Sequence, residues 1–174
     1  MTNHSKNVNH NYLVGIIVAS DKGSRGDRLD ASGALMAMRL EEVGFTVLEK
    51  RIVPDEQDLL AEAMCDQIDR LGCHLVLTTG GTGFSMRDVT PEATRRVIDR
   101  EVPGIPEAMR WMSYQKTPKA MLSRAIAGLR GAALIVNMPG SPKAVDECMD
   151  VLLEAVGHGL DILTGSASEC AQTK

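Results

Sequence analysis

The stretch Val76–Glu92, VLTTGGTGFSMRDVTPE, constrains this chain more tightly than any other part of it. An apolar segment, His74–Leu77, runs straight into a loop of small residues, Thr78–Gly83. Asp88 follows, and Thr90-Pro91-Glu92 has the marks of a helix start, with Thr90 as N-cap and Pro91 at the first helical position. Glycines let a backbone pass close to a ligand and turn successive N–H groups toward one point, which suits an anion. A carboxylate just beyond such a loop can hold a hard cation that bridges phosphate oxygens. The unit reads as strand, anion cradle, acidic residue and helix.

The rest of the chain alternates in the same way. Leu13–Ser20 is a continuous apolar run, as in a strand buried on both faces. Asp21–Asp30 is a charged, glycine-containing loop, and Ala31–Val43 reads as a helix stopped by Gly44. Phe45–Val53 is a second strand, ended by Pro54. Asp55 opens a helix whose Leu59, Leu60, Ala63, Met64, Ile68 and Leu71 keep helical spacing up to Gly72. The Thr90 helix runs to about Arg100, Pro103–Pro106 breaks the pattern, and Glu107–Gln115 is helical again. Met121–Ala127 and Ala132–Asn137 are strand candidates with a turn, Gly128–Gly131, between them. Ser141 caps and Pro142 begins one long helix with the stripe Val145, Cys148, Met149, Leu152, Leu153, Val156 and Leu160.

This order predicts an α/β fold, a three-layer sandwich whose mostly parallel central sheet is flanked by helices. Residues 12–165 read as one domain, with polar tails at 1–11 and 166–174. In such sheets ligands sit beyond the carboxyl ends of the strands, so the loops after Ser20, Val53, Leu77 and Asn137 should share one rim.

Composition removes several function classes. Aromatic residues are only 3% of the 174, too few for a platform that stacks single-stranded nucleic acid. A formal net charge of −4 argues against general binding to a phosphate backbone. Cys65, Cys73, Cys148 and Cys170 show no C-x-x-C spacing and read as buried thiols of a reduced, cytoplasmic chain. Residues 1–11 have no apolar core of a secretory signal, and no run is long enough to span a membrane.

The common motif readings fail. G-x-x-x-x-G-K-[ST] is absent, Met86 stands where Gly81-x-Gly83 would need a third glycine, and there is no G-x-S-x-G elbow. Taken alone, Gly80–Gly83 could be an ordinary turn, and Asp55 and Asp88 could serve only helix starts. Ser141-Pro142 is a plain helix start whose free N–H groups also suit an anion. Arg87, Arg124 and Lys143 could neutralise phosphate.

Five segments taken in order carry a resemblance. Thr78–Gly83, Arg87–Ala93, Val53-Pro54-Asp55-Glu56, Met121–Ala125 and Asn137–Ala144 together resemble the molybdopterin adenylyltransferase family of MogA and MoaB type, which is similar to the gephyrin G domain. Ser141 stands where that family more often has Asn or Gln. The resemblance spans about Val14 to Leu163. It implies transfer of AMP from Mg²⁺–ATP to the molybdopterin phosphate, with pyrophosphate released. It carries over Asp55 and Asp88 as catalytic carboxylates that would also hold Mg²⁺. It carries over Thr79, Gly80, Gly81, Thr82, Gly83 and Ser123 as molybdopterin-binding, and Pro139, Gly140 and Ser141 as a further binding loop. Ser20, Asp21 and that Pro139–Ser141 loop would border the nucleotide. It further implies a homotrimer or a hexamer, and contact with a molybdenum-insertion enzyme. Two other readings stay open: a pterin-binding module without catalysis, and a different α/β enzyme acting on a phosphorylated small molecule.

Overall fold

The apolar runs become the inner strands of a twisted sheet. The computed structural model describes residues 12–27 and 29–166. The expectations about the two tails, and about Cys170, therefore lie outside the described residues, apart from Ser166. Six strands are present among the described residues: β1 (Leu13–Ala19), β2 (Thr46–Val53), β3 (Leu75–Thr79), β4 (Arg100–Glu101), β5 (Ala127–Arg130) and β6 (Ala133–Met138). They are arranged β2-β1-β3-β6-β5-β4. β2, β1, β3 and β6 run parallel, whereas β5 is antiparallel to both its neighbours. Seven helices accompany them among the described residues: α1 (Asp21–Ser24), α2 (Ala31–Glu42), α3 (Gln57–Cys65), α4 (Thr90–Val97), α5 (Gly104–Tyr114), α6 (Pro142–Leu153) and α7 (Val156–Leu163). A π-helical turn, Asp66–Arg70, prolongs α3.

Strand alternation divides the core into two layers. Val14, Ile16, Val18, Leu75, Leu77, Leu134, Val136 and Met138 pack with residues of α2, α5, α6 and α7 on one face. Ile17, Ala19, Val76 and Ile135 pack with α3 and α4 on the other. Ile16, Ile17, Leu75 and Leu77 are wholly buried; each such side chain stabilises the fold by about 1.5–3 kcal/mol. This is the three-layer sandwich expected from the sequence. The register brings Ala19 beside Val53, Val18 beside Thr79, and Thr79 beside Met138, so four parallel strands end on one rim. No helix among the described residues is long and apolar enough to cross a membrane. Cys73 and Cys148 are buried, and burial pushes the Cys73 thiol up to about 11.

Several boundaries differ from the sequence reading, for physical reasons. The Met121–Ala127 strand is absent. A 3₁₀ helix, Pro118–Leu122, stands there instead, started by Pro118 and by the Thr117 hydroxyl accepting from the Lys119 N–H. Met121 and Leu122 are exposed, so they have no sheet face to fill. The supposed turn Gly128–Gly131 is mostly β5. Gly128 sits in the strand because a Cβ there would lie 2.8 Å from the Arg100 carbonyl of β4.

The helix expected from Ser141 breaks at Glu154-Ala155, and α7 carries Val156 and Leu160 back to the core. Gly157 and Gly159 weaken helix continuation there. α5 begins at Gly104, because Pro106 in its first turn has no N–H that the helix requires. α4 ends at Val97, which frees Arg100–Glu101 for the sheet edge.

Candidate functional site

The shared rim encloses a cleft of about 410 Å³ lined by Ser20, Asp21, Asp55, Thr79, Gly80, Gly81, Arg87, Asp88 and Gly140, among others. Its floor is the glycine loop after β3. Gly80 has φ +92°, and a Cβ on it would stand 2.4 Å from the Ala19 carbonyl. Gly81 has φ +62°, and a Cβ there would meet the Thr90 hydroxyl at 2.4 Å and Asp55 Oδ1 at 3.3 Å. Only glycine fits either position without strain. The loop is fastened from behind. The Thr90 hydroxyl donates to the Gly80 carbonyl at 3.0 Å and the Thr90 N–H to the Gly81 carbonyl at 3.1 Å. Thr90 is therefore a loop brace, while Val89 occupies the N-cap position of α4.

The carboxylates are organised in pairs. Asp55 lies outside α3, whose N-cap is Glu56. Asp55 Oδ2 accepts the Asp21 N–H at 2.9 Å, and the Asp55 N–H donates to Asp21 Oδ1 at 3.1 Å. Arg87 grips Asp21 through both carboxylate oxygens, at 2.8 and 3.0 Å. That guanidinium holds the Asp21 carboxyl below the usual carboxylate range. Burial pushes the Asp55 carboxyl above its ordinary value; the Asp21 N–H opposes the shift, and the negative charge of Asp21 adds to it. Asp88 Oδ2 accepts the Ser85 N–H at 2.8 Å. Four carboxylates, on Asp21, Asp30, Asp55 and Asp88, face two cations, Lys22 and Arg87, so the cleft is net acidic.

A second cavity of about 320 Å³ lies on the far side of the same loop. Thr82, Gly83, Ser123 and Pro139 line it, together with Arg110, Lys119, Met109, Pro106 and Leu122. Gly81 lines the first cavity and Thr82 the second, so the loop runs between them. Arg124 stands at that seam: Nε donates to the Gly83 carbonyl at 2.7 Å, Nη2 to the Asp88 carbonyl, and Nη1 pairs with Glu92. Behind the loop, Asn137 donates to the hydroxyls of Thr78 at 3.0 Å and Thr94 at 2.8 Å, and accepts from the Ile126 N–H at 3.2 Å.

Comparison with known proteins gives the chain a family. The profile described as "Probable molybdopterin binding domain" matches residues 15–158. This chain belongs to that family. Among its relatives, the molybdopterin adenylyltransferase of Helicobacter pylori strain J99 is 41% identical over 155 residues, 88% of each chain. The molybdopterin adenylyltransferase of Escherichia coli K12 is 42% identical over 147 residues, 83% of this chain and 75% of that one. The crystal structure of the molybdopterin biosynthesis enzyme MoaB from Thermus thermophilus superimposes with a TM-score of 0.84 at 45% identity, covering 88% of this chain and 97% of the other.

Within the family fold, the residues singled out in the sequence separate into two groups. Asp55, Asp88, Ser20, Asp21, Thr79, Gly80, Gly81 and Gly140 share the acidic cleft. Thr82, Gly83, Ser123 and Pro139 line the second cavity. Ser20 uses its hydroxyl to accept the Gly23 N–H at 3.0 Å and so starts α1. Ser141 caps α6 by accepting the Ala144 N–H at 3.3 Å and lines neither cavity. The Pro139 carbonyl accepts the Thr79 hydroxyl at 2.6 Å, which ties the β6 turn to the glycine loop. Arg124, weighed in the sequence as a phosphate ligand, holds backbone and Glu92 instead. Sequence reasoning missed Arg110 and Lys119 in the second cavity. Their charges sit beyond the short motifs, with no spacing signal to mark them.

Proposed function

We propose that this chain is a molybdopterin adenylyltransferase, transferring AMP from ATP to the molybdopterin phosphate and releasing pyrophosphate in molybdenum cofactor biosynthesis. One observation carries the reading: an acidic cleft and a more apolar, cation-bearing cavity are lined by successive residues of a single glycine loop. A transfer between two bound substrates needs such a junction, where the reacting atoms are brought together and aligned.

An oxygen of the pterin phosphate attacks the α-phosphorus of ATP. The bond from that phosphorus to the oxygen bridging to the β-phosphate breaks, and pyrophosphate leaves with the electron pair. The phosphate is already a nucleophile, so no activated serine or cysteine is required. In this reading the nucleotide occupies the cleft of Ser20, Asp21 and Gly140. Molybdopterin occupies the side of Thr82, Gly83 and Ser123, with its phosphate against the Thr79–Gly83 loop. Pro139 and Ser141 complete the turn beside the junction.

The donor set suits Mg²⁺. Among the described residues no cluster of three or more acidic, His or Cys groups forms a closed cage, and Mg²⁺ prefers one or two carboxylates with substrate phosphates supplying the rest. Asp55 engages the Asp21 N–H through Oδ2, which leaves Oδ1 for a cation, and burial has already made its carboxyl reluctant to ionise alone. A cation there would relieve that cost. Asp55 and Asp88 would hold it, and when bound it supplies neutralisation of the charge on the phosphates. The same reading places the enzyme in the cytoplasm as a homotrimer or hexamer that meets a molybdenum-insertion enzyme.

The test combines the protein with ATP, Mg²⁺ and molybdopterin and measures adenylylated pterin and pyrophosphate. Both products are expected. Pterin binding without product would leave a non-catalytic binding module, and no affinity for the pterin would overturn the reading.

A further inference from the structure

The loop that carries Asp88 is held from outside by two arginines, Arg87 and Arg124. Phe84 is 69% exposed and Met86 93%, so neither side chain anchors it to the core. Within the loop the Asp88 N–H donates to the Ser85 carbonyl at 2.9 Å, and the Ser85 N–H donates to the Asp88 carboxylate at 2.8 Å. These bonds shape the loop but do not join it to the rest of the fold. Arg87 reaches from the middle of the loop to Asp21 of α1, while the Arg124 guanidinium holds the carbonyls at both ends, Gly83 and Asp88, and Glu92 of α4 supplies the opposite charge. The Arg124 backbone N–H also donates to the Thr82 carbonyl at 2.9 Å. A planar fork of five donors can span three acceptors in fixed directions, whereas an ammonium is a single point of charge. The neighbouring Ser123 faces the second cavity, so one short segment touches both sides of the seam.

We propose that Arg124 is a positioning residue for the transfer: it closes the Gly83–Asp88 loop and thereby aims the Asp88 carboxylate into the acidic cleft. The inference rests on the adenylyltransferase reading for its kinetic part. Its conformational part is independent of that reading.

The experiment compares wild type, Arg124→Lys and Arg124→Ala below their melting temperatures. Misplacement of a reacting group by about 1 Å can cost on the order of 10²-fold in rate. Accordingly kcat falls at least roughly 30-fold in both variants, while KM for ATP stays within about threefold. Added guanidinium restores kcat to Arg124→Ala and not to Arg124→Lys. In ligand-free protein, the Ser85 amide exchanges at least about tenfold faster in both variants, while the amides of β1 and β3 keep their protection.

A kcat within about threefold of wild type in either variant overturns the proposal. So does a loss accompanied by faster exchange throughout the sheet and insensitive to guanidinium, because that describes a general stabiliser. If wild type itself makes no product, the enzymatic reading fails. The Ser85 exchange then decides the clamp alone, and unchanged protection overturns it.

Discussion

The two cavities beside the glycine loop share a wall and differ in everything else. The first is ringed by Asp21, Asp55 and Asp88, and its nearest guanidinium, Arg87, is already paired with Asp21. The second sets Met109, Pro106 and Leu122 against hydroxyls, among them Ser113, Thr117 and Ser123, two cations, Arg110 and Lys119, and one carboxylate, Glu147. An acidic recess favours a polyanion only if a metal ion comes with it. A partly apolar recess with basic groups favours a flat ring with one anionic end. Size is a poor guide by comparison. A larger cavity, about 740 Å³ among α5, α6 and α7, has Arg100 as its one charged lining group among the described residues and no convergent polar side chains.

Substitutions that affect one side and spare the other test this contrast. The strongest is Asp88→Asn, which should lower turnover on the order of 10²–10³-fold and leave molybdopterin binding intact, as read by equilibrium titration beside a turnover assay. Full activity in that variant would remove Asp88 from the chemistry.

Gly80→Ala should blur the distinction instead of sparing one side. The added Cβ meets the Ala19 carbonyl at 2.4 Å with φ at +92°, a strained placement that costs about 1–3 kcal/mol. A lowered thermal midpoint and weaker binding of both substrates are expected. Ser123→Ala should sharpen the contrast. Its hydroxyl accepts the Ala125 N–H at 3.3 Å and retains a proton for a ligand oxygen. Loss of that bond should raise KM for molybdopterin roughly tenfold, with KM for ATP unchanged in steady-state kinetics.

The smallest effect is on stability. Because burial raises the Asp55 carboxyl, the folded protein binds that proton more tightly than the unfolded chain does. Stability then falls as pH rises through the window between the ordinary aspartate value and the raised one. Asp55→Asn removes the penalty, so the ligand-free variant should melt higher than its parent above that window and equally below it.

Much of this was legible in the chain because buried parallel strands leave continuous apolar runs. Leu13–Ala19 and Ala133–Met138 could hardly be anything else, and their register delivers the loops to one rim. Asp55 and Asp88 were legible through short motifs. The antiparallel edge was not. Gly128-Leu129-Arg130-Gly131 looks like a turn because Gly128 is needed for contact with β4, a strand of only two residues. Thr90 looks like a cap because its bond to Gly80 depends on a loop ten residues away in the chain. Arg124 gives no local sign of its partners, since carbonyl groups belong to every residue and only the fold selects which ones it meets.

Asn137 has a consequence for how the sandwich finds its alignment. It is wholly buried, yet its amide engages Thr78 on β3, Thr94 on α4 and the main chain at Ile126. A slip of one residue between neighbouring strands would turn the side chain to the opposite layer and strand several polar groups in hydrocarbon. Each stranded group costs about 1–3 kcal/mol. Misaligned packings are thus penalised together, and the glycine loop inherits its placement from a knot of amide and hydroxyls that lines neither cavity.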